Sequence, residues 1–168
     1  MKVSMIFTTY NAPRWLEKVF WGLFTQRHAS FEVIVADDGS REDTRDVIDR
    51  YRREAPFPVH HVWQPDEGFQ KCRILNKAIV KAQGDYLVFT DGDCIPRPDF
   101  LSVHVAQAER QTFLSGGYVK LPIELSEHIT RDDVQSGRVY DVAWLGRNGL
   151  HRSFKTLKVS ASGRRGQL

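Results

Sequence analysis

Short apolar runs alternate with amphipathic stretches along most of the chain. Val3-Ser4-Met5-Ile6-Phe7 is apolar and stops at Thr8-Thr9-Tyr10-Asn11-Ala12-Pro13, where Asn11 suits a helix N-cap and Pro13 a first helical turn. Over 14–26, Trp15, Leu16, Val19, Phe20, Leu23 and Phe24 share one face, the 3.6-residue period of a helix lying on a sheet. The segment 31–36 is apolar on both faces, as a buried parallel strand should be. Ser40 followed by Asp43 resembles a capping box, opening a helix with Val47, Ile48 and Tyr51 inward. A third strand is expected at 59–63. A third helix over 69–82 turns Cys72, Leu75 and Ile79 inward and ends at Gly84. Asp85-Tyr86-Leu87-Val88-Phe89-Thr90 is the clearest strand and runs into Asp91-Gly92-Asp93.

Strands separated by helices of this length argue for right-handed crossovers, hence an α/β fold with a mainly parallel sheet and helices on both faces. In such sheets ligands sit beyond the carboxyl ends of the strands. Three turns meet that rule together: Thr8 to Asn11, Asp37 to Ser40, and Asp91 to Asp93. A helix after Pro98 and a strand over 112–121 continue the fold. Beyond Glu124 the pattern weakens, with one more helix expected over 130–144.

Charge refines this picture. The net charge of +3 conceals a division, because all 21 acidic residues lie at or before Asp141, against 18 basic ones in the same span. The basic character belongs to the end of the chain, a small, polar stretch with no reason to pack. It lacks the interleaved aromatics of a nucleic-acid binder, so no nucleic-acid partner is expected. The two cysteines, Cys72 and Cys94, form no Cys-x-x-Cys pair and suit a reducing cytoplasm. No run approaches the ~20 apolar residues of a membrane span, which leaves peripheral association at the inner face of the membrane as the only membrane role expected.

Asp91 and Asp93 share a side if the extended geometry of their strand persists. Two such carboxylates can hold Mg²⁺ or Mn²⁺, whose shell is completed by substrate phosphate and water. An Asp-Gly turn exposed to solvent is the competing reading of the same residues. Asp37-Asp38-Gly39-Ser40 carries the same ambiguity. Tyr10 ends a strand on the same edge and offers a ring that can stack on a base.

In order and combination these motifs resemble the family 2 glycosyltransferases, which have the nucleotide-sugar-binding GT-A fold. Thr8-Thr9-Tyr10-Asn11 is similar to the family's opening motif, Ala36-Asp37-Asp38-Gly39-Ser40 to its second, and Asp91-Gly92-Asp93 to its Asp-x-Asp. The segment from Gly68 to Asn76 resembles chondroitin-polymerase-like and galactosyltransferase-like members. The resemblance covers about 3–121 and implies a donor-binding core over 1–121, the start of an acceptor-side region over 122–150 and a disordered basic tail over 151–168. It implies that Thr8, Tyr10 and Asp38 contact the nucleoside, usually uridine, that Arg73 assists, that Asp91 lies near the ribose and metal, and that Asp93 binds Mn²⁺ or Mg²⁺. Many relatives carry Arg where this chain has Leu75, so that contact is not expected here.

The implied reaction is inverting transfer of a sugar from a nucleoside diphosphate-sugar, UDP-linked, to a hydroxyl of a glycan acceptor, in cell-surface polysaccharide or lipopolysaccharide synthesis. A carboxylate base is required, and the family places it well after the Asp-x-Asp. Asp132 and Asp133 are the acidic pair in that direction, at a helix start where capping accounts for them. Relatives run longer, so the chain reads as an amino-terminal fragment that binds donor without turning over. Two alternatives follow: a non-catalytic nucleotide-sugar-binding domain, and a haloacid dehalogenase-type phosphatase, whose Asp-x-Asp belongs on the first strand.

Overall fold

The computed structural model describes residues 1–150 and 164–167, and the chain divides into two compact units, Met1–Leu101 and Ser102–Leu168. The first unit alternates β1 (Val3–Thr9), α1 (Pro13–Leu23), β2 (Phe31–Asp37), α2 (Glu42–Glu54), β3 (Val59–Trp63), α3 (Lys71–Lys81) and β4 (Tyr86–Asp91). Its four strands are parallel and ordered β3-β2-β1-β4. β1 is central: Thr8 pairs with Ala36 on one side and Asp91 on the other. The chain steps outward through β2 and β3, then returns to add β4 across β1. The reversal opens a crevice at the carboxyl ends of β1 and β4.

Every residue of β2 is buried, and β1 is buried except for the partly exposed Thr8, as both faces of the sheet are covered. On one face Ile6, Ile34 and Ala36 pack against Ile74 and Ala78 of α3. On the other, Phe7 meets Phe20 of α1 edge-on at 6.0 Å, and Phe20 stacks on Tyr51 of α2 at 4.2 Å, tying both helices to β1.

The α3 face is a correction to the sequence reading. Ile74 and Ala78 are buried, Cys72 and Ile79 are exposed, and Leu75 is half-buried at the margin of that cluster. Apolar residues lie on two sides of this helix. Ile74 and Ala78, four residues apart, share the face that meets the sheet, and Ile79 falls outside it.

At the opposite, amino-terminal edge of the sheet, the buried Glu32 carboxylate accepts bonds from Ser4 Oγ (2.6 Å) and Gln83 N (2.7 Å), and its other oxygen lies 3.2 Å from Lys2 Nζ. Burial alone would raise its pKa, but the bonds from Ser4, Gln83 and Lys2 outweigh it and hold the carboxyl below its ordinary value. A depressed folded-state pKa contributes stability above the unfolded value, lost as pH falls through the lowered one. Glu32→Gln should therefore flatten the acid limb of stability against pH while leaving its shape near neutrality unchanged; thermal unfolding across an acid pH series reads this. An unchanged acid limb would show that Glu32 does not set it.

In the second unit, α4 (Phe100–Gln107), which begins in the first, leads to β5 (Thr112–Ser115), α5 (Ile123–His128), α6 (Arg131–Gln135), a 3-10 turn at Arg138–Tyr140, α7 (Val142–Arg147) and β6 (Arg164–Gln167). Three expectations change. The strand over 112–121 stops at Ser115, before the weakly strand-forming Gly116-Gly117, and it pairs with β6 in a separate antiparallel sheet instead of extending the parallel one. The helix over 130–144 is broken at Gly137, whose φ of 82° is left-handed. Residues 164–167, expected to be disordered, form β6, since a strand ladder needs backbone groups and no apolar side chains. The rest of the tail expectation, 151–163 and 168, lies outside the described residues.

Candidate functional site

The first two turns are locked to each other. Asn11 adopts a left-handed φ of 46°, its N–H donates to Ser40 Oγ (2.9 Å), and its Oδ1 accepts from Arg41 N (2.9 Å). Both residues were expected to cap their own helices; instead Ala12 and Arg41 occupy the cap positions without side-chain caps. Beneath them, buried Asp37 accepts from Ser40 N (2.8 Å) and pairs with His61 Nε2 (2.8 Å). Gly39 has φ 96°, and a Cβ there would lie 2.6 Å from Asp66 Cα, so only glycine lets the 65–68 loop close on this turn.

That loop sets the neighbouring side chains. Asp38 accepts from Gln64 Nε2 (2.6 Å) and from Gln70 N (2.8 Å), which fixes the start of α3. The Tyr10 ring is 51% exposed and its hydroxyl donates to Asp66 Oδ2 (2.8 Å). That bond and the Asp66 charge raise the phenol's pKa, keeping it a neutral donor.

At the end of β4, Asp91, Asp93 and Cys94 bring one ligand atom each within 4.8 Å of one another. Gly92 makes this turn possible, because a Cβ there would lie 2.4 Å from the Thr8 carbonyl oxygen. Burial pushes the Cys94 thiol pKa up, and Asp93 beside it pushes the same way. The two carboxylates are the oxygen donors that a hard divalent cation takes, whereas a thiol is a softer donor suited to other metals. A cation already stands there: Lys71 Nζ lies 2.6 Å from Asp91 Oδ1.

These turns enclose a cleft of about 420 Å³ at the reversal between β1 and β4, ample for a small ligand. Thr8, Tyr10, Asp38, Asp91 and Asp93 all line it, so the three turns singled out in the sequence meet in one cleft. Arg73 does not; it pairs with Glu67 at 2.6 Å, both side chains largely exposed. Lys71, which as sequence reads equally well as a solvated helix charge, also lines the cleft, and so do Asp66, Trp15 and Phe69, which sequence reasoning missed, Phe69 with 87% of its surface exposed.

Asp132 and Asp133 belong to the second unit and have structural partners. Thr130 and Asp133 form a reciprocal capping box, and Arg138 bridges both carboxylates. Burial would raise the Asp133 pKa, but bonds from Thr130 and Arg138 outweigh it and hold the carboxyl below its ordinary value, a poor setting for a base.

The parallel sheet with acidic turns gathered at its reversal is the GT-A fold, shared with solved glycosyltransferases. The chain belongs to glycosyl transferase family 2, whose family model matches residues 4–140. It is 37% identical over 106 residues to the hyaluronan synthase of Pasteurella multocida, covering 62% of this chain and 11% of that protein. It is 32% identical over 97 residues to the chondroitin synthase of Escherichia coli, covering 57% and 14%. A mannosyltransferase of Pyrobaculum calidifontis, solved with GDP-Man and Mn²⁺, superposes with a TM-score of 0.61 at 25% identity over 68% of this chain and 35% of that one. The chain thus spans a small part of the length of these relatives. Among the described residues no helix is long and apolar enough to cross a membrane.

Proposed function

We propose that the cleft binds a nucleoside diphosphate-sugar, UDP-linked, together with Mn²⁺ or Mg²⁺, as the donor site of an inverting glycosyltransferase. The acceptor is a glycan hydroxyl, in the synthesis of cell-surface polysaccharide or lipopolysaccharide on the cytoplasmic side of the membrane. One observation carries this reading: Asp91 and Asp93 share a single cleft with Thr8, Tyr10 and Asp38 at the sheet's reversal. The cleft's described lining has four aspartates and one lysine, so a diphosphate entering alone would be repelled.

Asp91 and Asp93 would hold the cation, which neutralises charge on the leaving diphosphate when bound. Tyr10 presents its ring for stacking on the base, and Asp38 keeps acceptor lone pairs for the nucleoside beside its bonds to Gln64 and Gln70. No residue is assigned as the base, since Asp132 and Asp133 are tied to Arg138. The phosphatase alternative fails on position, because Asp91 and Asp93 follow β4 and not the first strand.

Calorimetry on two variants tests the nucleoside assignment. Tyr10→Ala and Asp38→Ala should each weaken UDP about 10-fold in saturating Mn²⁺ while leaving pyrophosphate within about twofold, since a stacking contact and a charge-assisted bond are worth ~1–3 kcal/mol. Equal losses for both ligands would overturn it, and tighter binding of GDP than UDP would overturn the uridine preference. Donor turnover over a panel of glycan acceptors separates transfer from binding alone.

A further inference from the structure

Lys71 is the one basic residue among the described residues lining the cleft, and it stands against Asp91 Oδ1 at 2.6 Å. It is also the first residue of α3, a helix of 11 residues, where the macrodipole disfavours a cation. Local helix preference therefore gives no reason for a lysine here. The rigid part of its placement is independent of Asp91: Asp38 accepts from Gln70 N at 2.8 Å and so holds the start of α3 at the cleft edge. From there a flexible four-carbon stem delivers the ammonium. Asp91 and Asp93 are like charges close together, and the ammonium relieves their repulsion while no ion is present.

We propose that Lys71 is an exchangeable counter-cation of this site, holding Asp91 in the ion-free protein and turning to the donor's diphosphate once a divalent ion takes that carboxylate. This rests on the donor-site reading above. An ion and an ammonium compete for the same oxygen, both by contact and by mutual repulsion. The released ammonium then lies in a cleft where the added negative charge is the diphosphate, for which lysine is a suitable point-charge partner. A single residue would thereby disfavour the ion alone and favour the ion together with nucleotide, coupling the two binding events.

The test compares the unmodified chain with Lys71→Met and Lys71→Arg, measuring Mn²⁺ alone by electron paramagnetic resonance and UDP in saturating Mn²⁺ by calorimetry. The expected result for Lys71→Met is tighter Mn²⁺ binding without nucleotide, by roughly threefold to tenfold, and UDP binding weakened by about 10-fold. Lys71→Arg should stay within about threefold in both. Unchanged Mn²⁺ affinity in Lys71→Met overturns the exchange, whatever happens to UDP, and weaker Mn²⁺ binding overturns it too, making Lys71 a support that orients Asp91. The Mn²⁺ arm needs no nucleotide. Failure of every chain to bind UDP or GDP would instead sink the donor-site reading while leaving the competition at Asp91 measurable.

Discussion

Asp93→Ala should abolish the dependence of nucleotide binding on a divalent ion and cost about 100-fold in UDP affinity, the upper end of the 10–100-fold typical of changes one shell further from a metal. That loss corresponds to about 2.7 kcal/mol. The residue is well suited to the experiment. Asp93 is exposed, and among the described residues its side chain receives only a long contact from Cys94 Sγ at 3.6 Å, so removing its carboxylate should leave the melting temperature nearly unchanged. Calorimetry with Mn²⁺ and with a chelator checks the prediction. A variant that still binds UDP tightly and only in Mn²⁺ would move the ion away from Asp93.

Gly92→Ala should have a comparable effect on binding by a different route. A Cβ at Gly92 would meet backbone, the Thr8 carbonyl oxygen at 2.4 Å and carbon at 3.3 Å, and backbone cannot rotate aside as a side chain does. Because Thr8 is the register partner of Asp91, β1 and β4 must part or the Asp91-Gly92-Asp93 turn must shift. Overpacking of this kind costs about 1–3 kcal/mol. A displacement of about 1 Å at a site can cost roughly 100-fold in function. Gly116→Ala is the matched control, since among the described residues nothing lies within 4 Å of a Cβ there. Thermal unfolding and UDP calorimetry on both variants read the difference. If Gly92→Ala unfolds and binds like the unmodified chain, the close approach of the two strands does not build the site.

The parallel sheet and the position of its site were legible because both follow from local patterns. Apolar runs, intervening amphipathic helices and acidic turns are each short-range features, and the rule that ligands sit beyond strand carboxyl ends joins them. The partners of individual side chains were less legible. Asn11 and Ser40 are residue types that favour helix caps, and the sequence contains no sign that each would bond the other's turn across a parallel strand pair. The inward face of α3 is ambiguous for a related reason: Cys72, Leu75 and Ile79 form one apolar row and Ile74 with Ala78 another, and local periodicity does not say which the sheet takes. Arg73 and Lys71 are alike as sequence, two cations on one helix turn. The bonds that fix the start of α3 turn Lys71 to Asp91 and leave Arg73 with Glu67. β6 was illegible because a ladder of backbone bonds leaves little trace in side-chain pattern.

The central claim, a nucleoside diphosphate site completed by a divalent ion on Asp91 and Asp93, is tested most directly by titrating UDP into the unmodified chain by calorimetry, once in Mn²⁺ and once in a chelator. The account predicts saturable binding in Mn²⁺ and a loss of about 100-fold or more in the chelator, because the described lining has four aspartates and one lysine to receive the phosphates. Equal affinity under both conditions would contradict it.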